Sequence, residues 1–217
     1  MKAISLLSGG LDSVVATWLA AKEIEVVLAL TCDYGQRAAA REIQAAGQVA
    51  TALGIPQQVI PLPWVKEIAG DALTSAEKAL PQLAADELDS DAAVDSAAAV
   101  WVPNRNGLLI NVAGVYADAL GCEGIIVGFN AEEGVTFPDN TPAFAQAIGA
   151  ALSFSTRKGC RIVSPTMAMN KAEIVRAGRE AGAPLDLCWS CYEAGPGQCG
   201  VCESCLRSRR AFAEAGG

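Results

Sequence analysis

Ser8-Gly9-Gly10-Leu11-Asp12-Ser13 is the stretch that decides the fold. It follows a short apolar run, Ala3–Leu7, and opens a segment, Leu11–Ala21, whose apolar residues recur at helical spacing. A strand that ends in glycines and runs straight into a helix reads as the first βα junction of an α/β sheet. Glycines let the backbone turn tightly and approach an anion with no Cβ in the way. The start of the helix adds unpaired N–H groups and positive dipole density. The Ser8 and Ser13 hydroxyls supply further donors, and Asp12 is placed to hold Mg²⁺ beside phosphates. The string therefore reads as a phosphate cradle formed by Ser8, Gly9, Gly10, Leu11, Asp12 and Ser13. It lacks the lysine of G-x-x-x-x-G-K-[ST] and does not match G-x-G-x-x-G. The plain alternative is an ordinary strand–helix turn capped by Ser8 or Asp12.

Outward from this junction the pattern repeats. Glu25–Thr31 is a continuous aliphatic run suited to a strand covered on both faces, and Gln58–Leu62 is a third strand. Gly124–Gly128 and Arg161–Ser164 follow as further strands. Helices are expected over Arg37–Leu53, closed by Gly54, over Asn104–Leu120, closed by Gly121, and over Pro142–Arg157 and Asn170–Ala181. This alternation predicts a doubly wound, mostly parallel sheet with helices on both faces and ligands beyond the carboxyl ends of the strands. Two regions break it. Ala72–Ala99, rich in Ala, Asp, Glu and Ser, reads as a mobile acidic loop or a solvated helical insert. Pro184–Gly217 is a cysteine-rich tail. The chain is accordingly divided into an α/β domain over 1–183 and a small C-terminal metal-binding segment over 184–217.

The composition, 52% hydrophobic and 18% charged over 217 residues, is that of a globular chain. No run reaches the ~18 uninterrupted apolar residues of a membrane span, and the opening residues carry no signal-peptide pattern. A cytoplasmic protein with no membrane partner is expected. A net charge of −8 argues against a broad nucleic-acid face while permitting a local basic pocket for a nucleotide. The absence of histidine restricts metal ligands to cysteine and carboxylate and removes imidazole from acid–base work.

Of eight cysteines, Cys32, Cys122 and Cys160 are scattered and read as core residues, while Cys188, Cys191, Cys199, Cys202 and Cys205 crowd together. C-x-x-C-x-x-C over Cys199, Cys202 and Cys205, with a cysteine upstream, offers the four thiolates of a structural Zn²⁺ site. The same spacing suits an iron–sulfur cluster. Disulfides are not expected in a reducing compartment.

Beyond the glycine turn, Asp33-Tyr34-Gly35-Gln36-Arg37, Pro103-Asn104-Arg105-Asn106, Gly128-Phe129-Asn130-Ala131, Phe137-Pro138-Asp139, Asn170-Lys171-Ala172-Glu173-Ile174 and Ser190-Cys191-Tyr192 are distinctive. With Ser8–Ser13 and the cysteine cluster, they resemble the 7-cyano-7-deazaguanine synthase family of PP-loop ATP pyrophosphatases over nearly the whole chain. The resemblance implies an adenine nucleotide alpha hydrolase-like fold and a homodimer. It implies an ATP-dependent C–N ligase that joins ammonia to 7-carboxy-7-deazaguanine through adenylated intermediates, on the route to queuosine. ATP would be cleaved to AMP and pyrophosphate, with Mg²⁺ accompanying it. Within the cysteine cluster, the resemblance selects Cys191 rather than Cys188 to join Cys199, Cys202 and Cys205 at zinc.

In that setting Asp12, Arg105 and Lys171 are the candidate catalytic residues. Asp33 and Arg37 join Ser8–Ser13 as nucleotide-binding candidates. Arg37 and Arg105 stand at strand–helix junctions, where a fork donor clamps phosphate or carboxylate, or else forms a helix-end salt bridge. Lys171 lies in the first turn of a helix, against the dipole, which favours a ligand-facing role. Asp33 is read as a Mg²⁺ or ribose contact or as a helix cap, and Asn106 as a site residue or a helix start. The sequence departs from the family at Ala38, where histidine is usual. It departs again at Val135-Thr136-Phe137 and Asn140-Thr141, in place of Ser-Gly-Tyr and Cys-Arg. These later departures fall in the segment expected at the acceptor. A paralogue adenylating a different acceptor and a tRNA-thiolating transferase are the competing readings.

Overall fold

A computed structural model describes residues 1–216. Five strands, β1 (Lys2–Leu6), β2 (Glu25–Asp33), β3 (Gln57–Pro61), β4 (Gly124–Ile126) and β5 (Arg161–Val163), form one sheet in the order β3-β2-β1-β4-β5. Every pairing is parallel. From β1 the chain winds outward to β2 and β3, then returns to β4 on the other side of β1. The change of direction between β1 and β4 opens a crevice at their carboxyl ends, where such sheets bind ligands.

Alternation along β1 divides the two faces. Ile4 joins Leu30, Ile125, Ile110 and Leu152 in the larger core, beneath α5 (Arg105–Ala119) and α7 (Pro142–Ser155). Ala3 faces α1 (Leu11–Ala20), whose Ala16 and Ala20 pack closely on the sheet. The hydroxyls of Ser5 and Thr17, both fully buried, satisfy each other at 2.7 Å beneath that helix. On the same face lie α2 (Ala39–Leu53), α8 (Lys171–Ala181) and α9 (Glu203–Glu214). Leu11 and Val15 of α1 meet Ile174 and Val175 of α8 and Ala211 of α9.

The elements match the sequence pattern to within a residue or two, and three helices were not expected. These are α3 (Pro63–Ala69), α6 (Ala131–Thr136) and α9. Within Ala72–Ala99 the helical alternative holds for α4 (Asp91–Ala99), but the expectation needs correction because part of the segment is packed rather than solvated. Ala72, Leu73, Leu88, Ala93 and Ala97 are buried. Ser96 Oγ donates to Glu203 Oε2 at 2.6 Å, and Arg207 donates to the Leu88 carbonyl at 2.7 Å. Gln82 pairs with Cys202 in an antiparallel bridge. The segment thus covers the C-terminal tail, through alanines whose burial no local periodicity reveals. Among the described residues, no helix is long and apolar enough to cross a membrane.

Candidate active site

The glycine turn occupies the crevice between β1 and β4, as an open helix start. Gly10 is the residue before α1, and no side chain caps that helix. The plain alternative of a turn capped by Ser8 or Asp12 therefore does not hold. Ser8 and Ser13 instead brace the loop: Ser13 Oγ accepts from the Ser8 amide at 3.3 Å and donates to the Gly10 carbonyl at 3.0 Å. Gly9 has φ +83°, and a Cβ there would lie 2.8 Å from the Glu42 carbonyl oxygen. Gly128, just beyond β4, touches the loop from the other side. A Cβ at Gly128 would lie 2.5 Å from the Ser13 nitrogen and 2.7 Å from the Asp12 carbonyl carbon, both rigid backbone atoms. Gly128→Ala is expected to cost about 3 kcal/mol by overpacking and to displace the loop. Thermal denaturation and nucleotide titration of the variant check this.

Asn130, after β4, caps α6 by accepting from the Glu133 amide at 2.9 Å. Asn170 and Glu173 form a capping box that starts α8, so Lys171 projects from its first turn towards the loop. These two caps bring three charges together. Lys171 Nζ donates to Asp12 Oδ2 at 2.7 Å and to Glu133 Oε1 at 2.7 Å, with the lysine side chain only 9% exposed. Burial pushes the Asp12 carboxyl up to about 6, against the opposing pull of Lys171. Burial also disfavours ionised Glu133, but the Lys171 charge and hydrogen bond outweigh it and hold that carboxyl below its usual range. Lys171 is held protonated, its two carboxylate partners overcoming the burial that opposes its charge. Asp12 Oδ1 is buried without a partner. Such an orphaned oxygen beside a phosphate cradle fits a cation-ligating role.

These groups line a cavity of about 250 Å³ that also takes in Ser8, Gly10, Leu11, Ser13, Arg105, Asn106 and Glu42. Arg105 comes from the start of α5, directly after Asn104, whose φ of +52° is the only positive value at a non-glycine residue among the described residues. Asparagine tolerates this left-handed conformation because its short polar side chain adapts locally. Tyr34, Asp139 and Glu133 offset the burial of the Arg105 guanidinium and raise its pKa further. Burial pushes the Tyr34 phenol up to about 12, so it faces Arg105 as a neutral acceptor. Asn106, in the first turn of α5, lines the cavity and donates to the Asp139 carbonyl at 3.2 Å. Asn104→Ala is expected to cost about 1 kcal/mol and to impair acceptor binding through Arg105, with Asn104→Gly restoring both. Comparing melting temperatures and acceptor KM across the three proteins tests it.

Asp33 and Arg37, expected at the nucleotide, do not line the cavity. Asp33 Oδ1 accepts from the Gly35 amide at 3.0 Å, closing a local turn. Arg37 donates to Glu193 at 2.8 Å, to the Ser75 carbonyl at 2.6 Å and to the Lys78 carbonyl. It ties the start of α2 to the covering segment and the tail. Glu133, Glu42, Tyr34 and Trp189 reach the cavity without having been given a role from sequence. For Glu133 the available signal was its place three residues after an asparagine cap at a strand end.

The sulfurs of Cys191, Cys199, Cys202 and Cys205 lie within 4.8 Å of one another. Cys191 Sγ accepts from the amides of Glu193 and Cys199, at 3.4 and 3.3 Å, and Cys199 Sγ from the Cys202 amide at 3.4 Å. Amide donors of this kind support thiolates, and the cluster could bind a metal. Cys188 stays outside it, packed near Leu7 and Ala46. Burial pushes its thiol up to about 12. Cys32, Cys122 and Cys160 are buried core residues. Cys191 belongs to both the cluster and the cavity wall, and beside it the Trp189 amide donates to the Gly9 carbonyl at 2.9 Å. Arg41 covers the Trp189 ring at 5.2 Å.

Comparison with known proteins accounts for this combination. The profile of the family described as queuosine biosynthesis protein QueC matches residues 2–216. The chain belongs to that family. Relatives named 7-cyano-7-deazaguanine synthase extend over the same length. The one from Desulforudis audaxviator is 52% identical, covering 100% of this chain and 99% of its own. The one from Methanosarcina mazei is 46% identical, covering 100% and 95%. Within this QueC-family chain, the departures at 135–141 mostly do not line the main cavity. Val135 is 88% exposed, Phe137 stacks on Trp101 at 6.1 Å, and Thr141 caps α7. Asn140 alone among them lines the main cavity.

Proposed function

We propose that this chain converts 7-carboxy-7-deazaguanine and ammonia to 7-cyano-7-deazaguanine with ATP, as an ATP-dependent C–N ligase of queuosine biosynthesis. The observation that carries this reading is Lys171 bridging Asp12 of the glycine turn to Glu133 inside one cavity. The uncapped start of α1, with the Ser8–Ser13 loop, receives the leaving pyrophosphate, where donors meet developing charge. Asp12 would hold Mg²⁺, which when bound would neutralise phosphate charge. Lys171 keeps its proton and stabilises the charge passing between phosphate and acceptor. Arg105 orients the acceptor carboxylate through its fork of donors.

The chemical sequence follows from the substrates. A carboxylate is a poor electrophile, so adenylation first gives it a leaving group. Ammonia then displaces AMP to form the amide. A second adenylation activates the amide oxygen, and loss of AMP with the nitrogen-bound protons leaves the nitrile. A chain with no histidine relies here on positioning and charge rather than on imidazole.

Zinc is the proposed occupant of the four cysteines. Tetrahedral Zn–S bonds of ~2.3 Å place sulfurs roughly 3.8 Å apart, in keeping with the 3.9 Å between Cys199 and Cys205. An iron–sulfur cluster is the competing occupant, and metal and sulfide analysis of anaerobically purified protein distinguishes them. On this reading residues 1–183 carry the nucleotide chemistry and 184–217 supply a metal-held wall. The enzyme works in the cytoplasm as a homodimer, without nucleic acid.

The test is direct. Purified protein is incubated with Mg²⁺-ATP, ammonium and 7-carboxy-7-deazaguanine, and products are followed by mass spectrometry. The expected products are amide, nitrile and AMP. AMP release with a different acceptor, and neither amide nor nitrile here, would sink the acceptor assignment and favour a paralogous adenylating enzyme.

A further inference from the structure

Beside the main cavity lies a second one of about 20 Å³, room for one water-sized molecule. The two share Glu133, Lys171, Tyr192 and Ser204, so they adjoin at the Lys171–Glu133 ion pair. Thr136, at the end of α6, and Phe137 line the small chamber but not the main one, as do Glu132, Glu203 and Arg207. Its walls carry three carboxylates, Glu132, Glu133 and Glu203, each held by a cation, Lys171, Arg207 or Arg210.

These walls are fixed before any ligand arrives. Arg207 donates to Glu132 at 2.9 Å and to Glu203 at 2.8 Å, and Arg210 donates to Glu132 at 2.8 Å. The hydroxyls of Thr136, Tyr192 and Ser204 and the rings of Phe137 and Tyr192 complete the lining. A rigid chamber of this size, lined by hydroxyl acceptors and aromatic rings, suits a small nitrogen species rich in hydrogen-bond donors. Phosphate and carboxylate are excluded by size.

We propose that this chamber is the binding site for ammonium, from which nitrogen enters the main cavity past the Lys171–Glu133 pair. The inference rests on the amide-forming reading above, which needs a place for a third substrate beside ATP and the acceptor. Small size is the selective feature: the chamber admits ammonium and bars its alkylated forms.

Steady-state kinetics of the full-length, metal-loaded enzyme test this, with ammonium varied at saturating ATP and acceptor. Thr136→Leu fills the chamber and is expected to raise the KM for ammonium by about tenfold or more. Acceptor-dependent ATP–pyrophosphate exchange, measured without ammonium, keeps its rate. Thr136→Val preserves volume, removes only the hydroxyl, and gives a smaller rise; it carries the test if the leucine variant fails to fold. An unchanged ammonium KM in the valine variant would make the chamber a water pocket and overturn the proposal. Loss of pyrophosphate exchange in that variant would overturn it too, by making Thr136 a structural residue. Wild-type enzyme that exchanges pyrophosphate but makes no ammonium-dependent product would overturn the parent reading, and this site with it.

Discussion

Asp12→Asn is expected to lower AMP formation by about a thousandfold or more while leaving the protein folded. The substitution keeps the shape of the side chain and removes the charge that Lys171 Nζ meets at 2.7 Å. It also leaves a neutral amide where the unpartnered Oδ1 of the carboxylate fits a cation beside phosphates. Stability should move the other way. Burial raises the Asp12 carboxyl from 3.8 to about 6, so the folded state binds this proton more tightly than the unfolded chain. That preference stabilises the fold at low pH and is lost as pH rises through about 6, leaving an ionisation penalty at neutral pH. Asparagine carries no such penalty, and Lys171 keeps Glu133 as its partner. A melting temperature equal to or above wild type, with product formation lost, is the expected pair of results. Turnover retained at near wild-type rate would refute the assignment of the loop.

Metal removal has the second large effect. Cys202 sits immediately before α9 and Cys205 lies in its first turn, so the cluster organises the helix that packs on α8. Cys191 fixes the segment that reaches back to Gly9 through Trp189. Binding of a structural metal is folding free energy in sites of this kind. Chelation, or Cys202→Ala, is expected to lower the melting temperature by about 10–20 °C, as a loss of ~5 kcal/mol does in a chain this size. ATP affinity should fall by about tenfold or more with it, because one wall of the cavity loosens. Stripped protein that keeps both its melting temperature and its nucleotide affinity would contradict this.

The features legible in the sequence were those whose signal is local. The strand–glycine–helix junction at Ser8–Ser13, the strand and helix periods, and the cysteine spacing are each read from neighbouring residues. Lys171 was legible because a cation in the first turn of a helix opposes the dipole and calls for a reason. Residues gathered only by folding were not legible in this way. Glu133 acquires its place from two separate helix caps, and Trp189 from a hydrogen bond to a loop at the other end of the chain. Ala72–Ala99 misled because its buried side chains are mainly alanine, which carries little hydropathy contrast. Arg37 misled for the opposite reason. A strand-end arginine suits a ligand, but its donors go to Glu193 and to carbonyls of the covering segment.

The hydrogen bond from Trp189 to Gly9 joins residues near opposite ends of the chain. During synthesis the glycine turn leaves the ribosome well before its outer wall is made. The growing chain can assemble most of its sheet, yet the crevice at the glycine turn lacks that wall until the cysteine-rich segment has emerged. On the function proposed above, synthesis of that segment and metal supply would act as joint conditions on the first turnover, and chains ending before Trp189 would be unable to consume ATP.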